Sequence, residues 1–504
     1  MSESRVKKTT NNVIAGFANQ LISLILSFVS RSVFINTLGS EYLGLNSIFA
    51  DVLNLLSMAD LGFGTAMAYS FYTPLADDNK EKICGLVHFY KRIYTIIAGA
   101  VVVVGVAITP FLRFIVNTDR EIEHLEIYYL LSLACVVISY LCVYKTTILT
   151  ADQKGYEITK VTIWTNLLKS FFQIVCLYIT HNYILYLVIN VLAQLLNNVV
   201  ASRKADKLYP YIKNKVSVDQ SDYEDILKNM KSVFIYKLSG ILFNATDNIL
   251  ISVLIGTAMV GLYSNYLMVS QRLLVIVQII FASVTASIGN VVAKENAEKR
   301  YEVFEASQSV SFIMCGVITT VYCVMSNDLI SVWLGDAYKL SFVTVCAVSF
   351  NTYLSCVLQP LWSYRDATGL YLKTKYIMFI GAVVNLVLSV ILGKMIGVTG
   401  IIFASALARL STYFWYEPKL LFAEYFNRSA KSYFISLFSN LGLVIIGIAI
   451  LRLLTEGIAV DSWLMLFVKG GIVGAASVIL FGGVYARSSG FKIILNTVRK
   501  KLHK

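Results

Sequence analysis

The sequence predicts an all-α polytopic membrane protein with about fourteen transmembrane helices, and three observations predict it. Of 504 residues, 57% are hydrophobic and 14% are charged, against roughly 25% charged residues in soluble domains. The apolar residues come in blocks of about 20 or more, long enough to cross a ~30 Å hydrocarbon layer as helix. Lysine and arginine concentrate in alternate connecting segments, as cytoplasmic loops require. An outer-membrane barrel is excluded, because its strands would appear as ~10-residue segments of alternating hydrophobicity.

Spans are expected at 13–37, 43–72, 93–116, 125–149, 161–180, 183–201, 232–255, 260–290, 307–326, 341–360, 374–393, 397–417, 433–453 and 463–486. The second and eighth are long enough to tilt. Between the fifth and sixth, only His181 and Asn182 mark a turn. With the N-terminus inside and strict alternation, 32 of the 43 cations fall in inside segments, five outside and six within spans. That bias puts both termini in the cytoplasm. The net charge of +13 then reflects topology and contact with anionic lipid, and no nucleic-acid partner is implied. The first apolar run is too long for a signal peptide and lacks a small-residue cleavage site, so it is expected to stay as an anchor. None of the eight cysteines forms a CxxC pair and the four histidines are scattered. The cysteines read as small apolar packing residues, and neither a metal site nor a cofactor is expected.

The chain repeats itself. SRSVFINTLGSEYLGLNSIF around spans one and two parallels TDNILISVLIGTAMVGLYSN around spans seven and eight, with Gly39 and Gly44 matching Gly256 and Gly261. LTADQKGYEITK likewise parallels SYRDATGLYLKTK, with Asp152 and Gly155 matching Asp366 and Gly369. The offsets, 217 and 214, agree closely enough to argue for a duplicated six-span unit. An even span number makes the two copies parallel repeats. The expected domains are therefore residues 1–208, residues 209–425 and an extra helix pair with a basic amphipathic tail over 426–504. A short amphipathic helix is expected at the membrane surface before span seven. Outside loops are short, so no extracellular domain is available to hold an enzyme.

Charge inside the spans is the feature that asks for a function. Arg31, Lys169, Lys237, Arg272, Arg409 and Lys469 lie within apolar runs, with Asp51, Asp60 and Asp247. A cation at mid-bilayer costs about 2.5–3.5 kcal/mol even on the lenient insertion scale. From the rise of 1.5 Å per residue, Arg31 lies roughly 9 Å and Asp51 roughly 12 Å below the outer surface, which suggests a structural ion pair. Arg272 and Arg409 fall about 18 Å down, near the midplane, and Asp247 about 12 Å down. Lys169 and Lys237 are nearer the cytoplasm and can snorkel; Lys469 lies outside the duplicated unit and reads as structural. Cations exceed carboxylates by three, an excess that an aqueous cavity receiving an anion would justify.

These motifs carry a resemblance. Arg31 with LG at 38–39, GL at 44–45 and DLG at 60–62 resembles the start of the Wzx-type polysaccharide flippases. TDNILISVLIG…VGLYSNY at 246–266 and NLVLSVILGKMIGVTGIIFASALARL at 385–410 are similar to that family as well. It belongs to the superfamily that also holds the MATE exporters and the lipid II flippase. The resemblance implies two six-helix bundles around a central cavity, often with two extra C-terminal helices, and no enzymatic activity. It also implies flipping of undecaprenyl-diphosphate-linked oligosaccharides across a bacterial cytoplasmic membrane. The diphosphate would be met by Arg31, Arg272 and Arg409, with Lys237 at the cytoplasmic entry. Asp60 and Asp247 would either couple a proton or a sodium ion or only neutralise a neighbouring cation, and a polymerase and glycosyltransferases would be working partners. A MATE-like drug or metabolite antiporter is the alternative; span one lacks the mid-span proline that many MATE exporters have. Lipid II as cargo is a further alternative.

Overall fold

In a computed structural model, residues 5–57, 63–118, 121–214, 216, 238–243 and 245–493 are described, and among them the chain is helical with no strand. The helices are α1 (Arg5–Leu56), α2 (Phe63–Ala76), α3 (Lys80–Ile108), α4 (Leu112–Ile115), α5 (Leu125–Tyr140), α6 (Val143–Ala151), α7 (Gly155–Thr180) and α8 (Tyr183–Leu208). After α9 (Leu238–Leu254) come α10 (Thr257–Lys294), α11 (Ala297–Leu334), α12 (Phe342–Val357), α13 (Gln359–Thr368), α14 (Tyr371–Ser411), α15 (Tyr413–Leu421), α16 (Lys431–Thr455) and α17 (Trp463–Tyr485). Nine described helices are long and apolar enough to cross a membrane, or eleven when the bent pairs α5–α6 and α12–α13 each count as one span. The chain is thus a multi-pass membrane protein; the expected figure of fourteen is finer than this count.

Local chemistry sets the helix ends. Asn182 caps α8 by accepting from the amides of Ile184 and Leu185 at 2.8 and 3.2 Å, and His181 before it is left-handed. These two residues do make the turn between the fifth and sixth spans. Asn79, Asn296, Ser341 and Ser462 cap α3, α11, α12 and α17 in the same way; each satisfies an amide that the first turn leaves without an intrahelical partner.

The two longest helices, α1 and α14, are both broken. A straight α14 of 41 residues would span about 60 Å, twice the hydrocarbon thickness. It is broken at Ile396 and Gly397, where Gly397 has φ +65°. Ser405 then reaches the Asn385 side chain at 3.2 Å, although a straight helix would set residues twenty apart at about 30 Å. The chain doubles back there, so α14 holds the expected span 374–393 and most of 397–417, the rest falling in α15. α1 likewise breaks at Gly39, with φ +86° and ψ 179°; Phe34 before the break and Tyr42 after it both pack on Tyr183.

The chain divides into two compact units, 1–261 and 262–504. In the first, α1 packs on α7, α7 on α8, α8 on α5, and α2 and α3 on each other. In the second, α11 is the hub, packed on α12, α16 and α17, while α12 packs on α14. Its core is aromatic: Phe304, Tyr364, Phe414, Phe422, Phe426 and Tyr433 are all buried. The extra helices α16 and α17 share a unit with α11 to α15, and the division falls at Gly261. The reason is a reciprocal close contact inside the first unit. A methyl added at Gly44 would overlap the Thr257 carbonyl, and one at Gly261 would overlap the Ser40 carbonyl. These pairs are the repeat-matched positions packing against each other, which fastens the start of α10 to α1. Gly39 and its match Gly256 (φ +141°) also share a positive φ, a conformation that glycine adopts without a Cβ penalty. The interfacial helix expected before span seven lies outside the described residues, and so does the tail beyond Ile493.

Candidate substrate-binding and coupling site

Arg31 stands on α1 two turns before the Gly39 break and is half-buried. Tyr186 on α8 lies within electrostatic reach of its guanidinium. One turn on, Phe34 meets Tyr186 and Tyr183 edge-on, with centroids 5.1 and 5.8 Å apart. Tyr42 and Tyr128 pack on Tyr183 at 5.2 and 4.9 Å. Phe34, Tyr128 and Tyr183 are buried, so this cluster serves as packing that fixes the Arg31 segment. Single aromatic residues in apolar runs gave no sequence signal for it.

Asp51 takes an amide partner where an ion pair with Arg31 was expected. Asn248 on α9 donates its Nδ2 to Asp51 Oδ2 at 2.6 Å. Depth along a helix follows from residue rise, but the direction a side chain takes around it does not, and the pairing expectation rested on depth alone. The contact sets Asp247, the residue before Asn248 and itself half-buried, on the segment bonded to Asp51. A second polar link lies nearby. Ser252 donates to the Ile115 carbonyl at 2.6 Å and meets Thr257 Oγ1 at 2.8 Å, and the Thr257 amide donates to the Asn117 carbonyl at 2.7 Å.

Of the cations in the second unit, Arg272 is half-buried on α10. Arg409 is buried, 6% exposed, and donates from Nη1 to Ser355 Oγ at 3.0 Å. That places Arg409 in the seam between α14 and α12, on a different helix from Arg272. Lys469 pairs with Asp328 of α11 at 2.8 Å. Span nine is expected to end at 326, but α11 runs on to Leu334, so Asp328 adds a fourth carboxylate that answers one of the surplus cations. Lys237 and Asp60 lie outside the described residues.

Two further charge clusters sit at helix ends. In the first unit, Asp152 accepts from Lys8 at 2.8 Å and from Tyr209 at 2.6 Å, and lies 2.7 Å from Lys154 Nζ. Burial works against its carboxylate, yet the bonds from Lys154, Lys8 and Tyr209 prevail and hold its pKa below the ordinary value. Asn12 joins the same turn, donating to the Gln153 carbonyl and accepting from the Tyr156 amide. In the second unit, Arg365 and Glu417, 9% and 3% exposed, pair at 3.1 Å. The repeat-matched Asp366 is 56% exposed, so the two copies of this motif have diverged in role. Among the described residues no group of three or more metal-ligating side chains occurs.

Residues 37–343 match the model of a family described as "Polysaccharide biosynthesis protein". The chain belongs to that family. Its fold is shared with solved transporters. A lipid II flippase MurJ in an inward closed conformation is 14% identical with TM-score 0.68, over 94% of this chain and 98% of that one. An inward-facing MATE family multidrug transporter of the MOP superfamily is 15% identical with TM-score 0.58, over 78% of this chain and 93% of that one. An outward-facing one is 17% identical with TM-score 0.51, over 81% and 94%. No curated protein matches the sequence. This polysaccharide biosynthesis family member thus has a MurJ- and MATE-like helical fold, whose solved neighbours are a flippase and transporters, not enzymes. Among the described residues, Arg31, Asp51, Lys169, Asp247 and Arg272 are half-buried within the apolar runs.

Proposed function

We propose that the protein flips undecaprenyl-diphosphate-linked oligosaccharide repeat units from the inner to the outer leaflet of a bacterial cytoplasmic membrane, supplying capsule, exopolysaccharide or O-antigen synthesis. Both termini face the cytoplasm. The observation that carries this reading is the retention of Arg31 and Arg272, half-buried at membrane depth, in a member of the polysaccharide biosynthesis family. A diphosphate brings at least two negative charges, and a surrounding of low dielectric strengthens its attraction to guanidinium groups. Arg31 and Arg272 are the diphosphate contacts, and Lys237 meets the head group at the cytoplasmic entry. Arg409 is proposed as a third diphosphate contact, and its bond to Ser355 fixes where its guanidinium sits.

Outward movement of a large head group needs a driving force, and Asp247 with Asp60 would carry a proton or sodium ion. Asp247→Asn is expected to leave folded protein whose transport no longer responds to the ion gradient; unchanged gradient dependence in both Asp60→Asn and Asp247→Asn excludes coupling through them. The function itself is tested by deleting the gene and assaying lipid-linked repeat units by leaflet. Accumulation on the cytoplasmic leaflet supports the reading, and normal export with altered drug resistance would favour the MATE-like antiporter. Arrest of lipid II alone would instead identify lipid II as cargo. A polymerase and glycosyltransferases acting on the same lipid-linked unit are the expected partners.

A further inference from the structure

In the second unit, Cys323 on α11 and Cys346 on α12 hold their Sγ atoms 3.9 Å apart. No step of transport uses either one. Cys323 is buried and Cys346 is partly exposed. Both line a cavity of about 600 Å³ whose walls include Val343, Phe350, Ile396 and Phe403. Val343 and Ile396 are 66% and 55% exposed. In a membrane-spanning chain such exposed apolar residues face acyl chains, so the cavity is open to lipid-soluble molecules. The Arg452 guanidinium lies 3.3 Å over the Phe342 ring, one helical turn before Cys346. Cys346 is the more exposed of the two cysteines. Cys346 is therefore the thiol a reagent meets first, and Cys323 stands behind it to resolve the product.

We propose that Cys323 and Cys346 are a redox-active dithiol that a lipid-soluble quinone oxidises to a disulfide. Two S–H bonds break and one S–S bond forms; the two electrons and two protons convert the quinone to its hydroquinone. The sulfurs must close from 3.9 Å to about 2.05 Å. The resulting bond staples the α11–α12 hairpin. Another thiol of the same helix, Cys315, is fully buried and donates to the Tyr353 carbonyl, so it supplies an internal control.

The test uses the full chain in proteoliposomes, treated with a short-chain ubiquinone, blocked with N-ethylmaleimide, denatured and digested. A linked Cys323–Cys346 peptide about 2 Da lighter than the two thiol peptides, regenerated by dithiothreitol, is the expected product. Cys346→Ser should abolish it while Cys315→Ser leaves it unchanged. Recovery of both thiols as maleimide adducts overturns the proposal, and so does a stable quinone thioether on Cys346. A disulfide that forms with diamide but never with the quinone overturns the assigned oxidant class. The wild-type mass measurement decides the matter even where a serine variant fails to fold.

Discussion

Arg272 presents a planar five-donor fork that can grip two phosphate oxygens at once, which an ammonium cannot. Arg272→Ala is expected to abolish export with protein abundance near wild type, and Arg272→Lys to restore only part of it. Immunoblot level against accumulation of lipid-linked units reads both quantities; parallel loss of protein and export would make Arg272 a structural residue. Asp152 is argued on stability instead. Its pKa is held below the ordinary carboxylate value, so its contribution is complete above about pH 3.9, the unfolded value. It is lost as pH falls through the lower folded value. Asp152→Asn should therefore lower stability by about 1–2 kcal/mol at neutral pH. The gap from wild type should persist to pH 4 and close below it, as read from thermal melts in detergent. A gap that closes already at pH 5 to 6 would show that the Lys8, Lys154 and Tyr209 bonds do not hold the carboxylate ionised.

Among the elements, the repeated glycines at 44 and 261 allow two helix starts to approach backbone to backbone. Overpacking a tight contact costs about 1–3 kcal/mol, and here the atoms in the way are main-chain carbonyls that cannot rotate aside. Gly44→Ala and Gly261→Ala are each expected to destabilise by that amount. Gly16→Ala, with nothing within 4 Å of the new methyl, should be neutral or slightly stabilising, since alanine is the better helix former. Equal melting behaviour of Gly16→Ala and Gly44→Ala would remove the close-packing role. α14 teaches the companion lesson: hydropathy located two spans in it, and the break at Gly397 with the Asn385–Ser405 bond makes them two passes.

For the whole molecule, orientation is the testable property. The proposed cytoplasmic termini predict that a single cysteine placed by Lys339→Cys reacts with an impermeant maleimide added to intact cells. One placed by Arg428→Cys should react only after lysis. Alanine replacement of the eight native cysteines gives the background, and the opposite labelling pattern would reverse the topology.

The sequence by itself determined that the chain crosses a membrane many times as helix, where most spans lie, and which family it joins. Those properties follow from hydropathy and local motifs, which act over one helix length. It also located the duplicated glycines, because a positive φ and a close approach tolerate almost nothing else. What it did not determine is which charges meet. Asp51 bonds Asn248, Lys469 pairs with Asp328, and Arg409 is packed against Ser355. Each partner lies on a different helix, tens to hundreds of residues away along the chain. Rise per residue fixes how deep a charge sits, while only helix packing fixes the direction it faces, so the site's chemistry was decided by the tertiary structure.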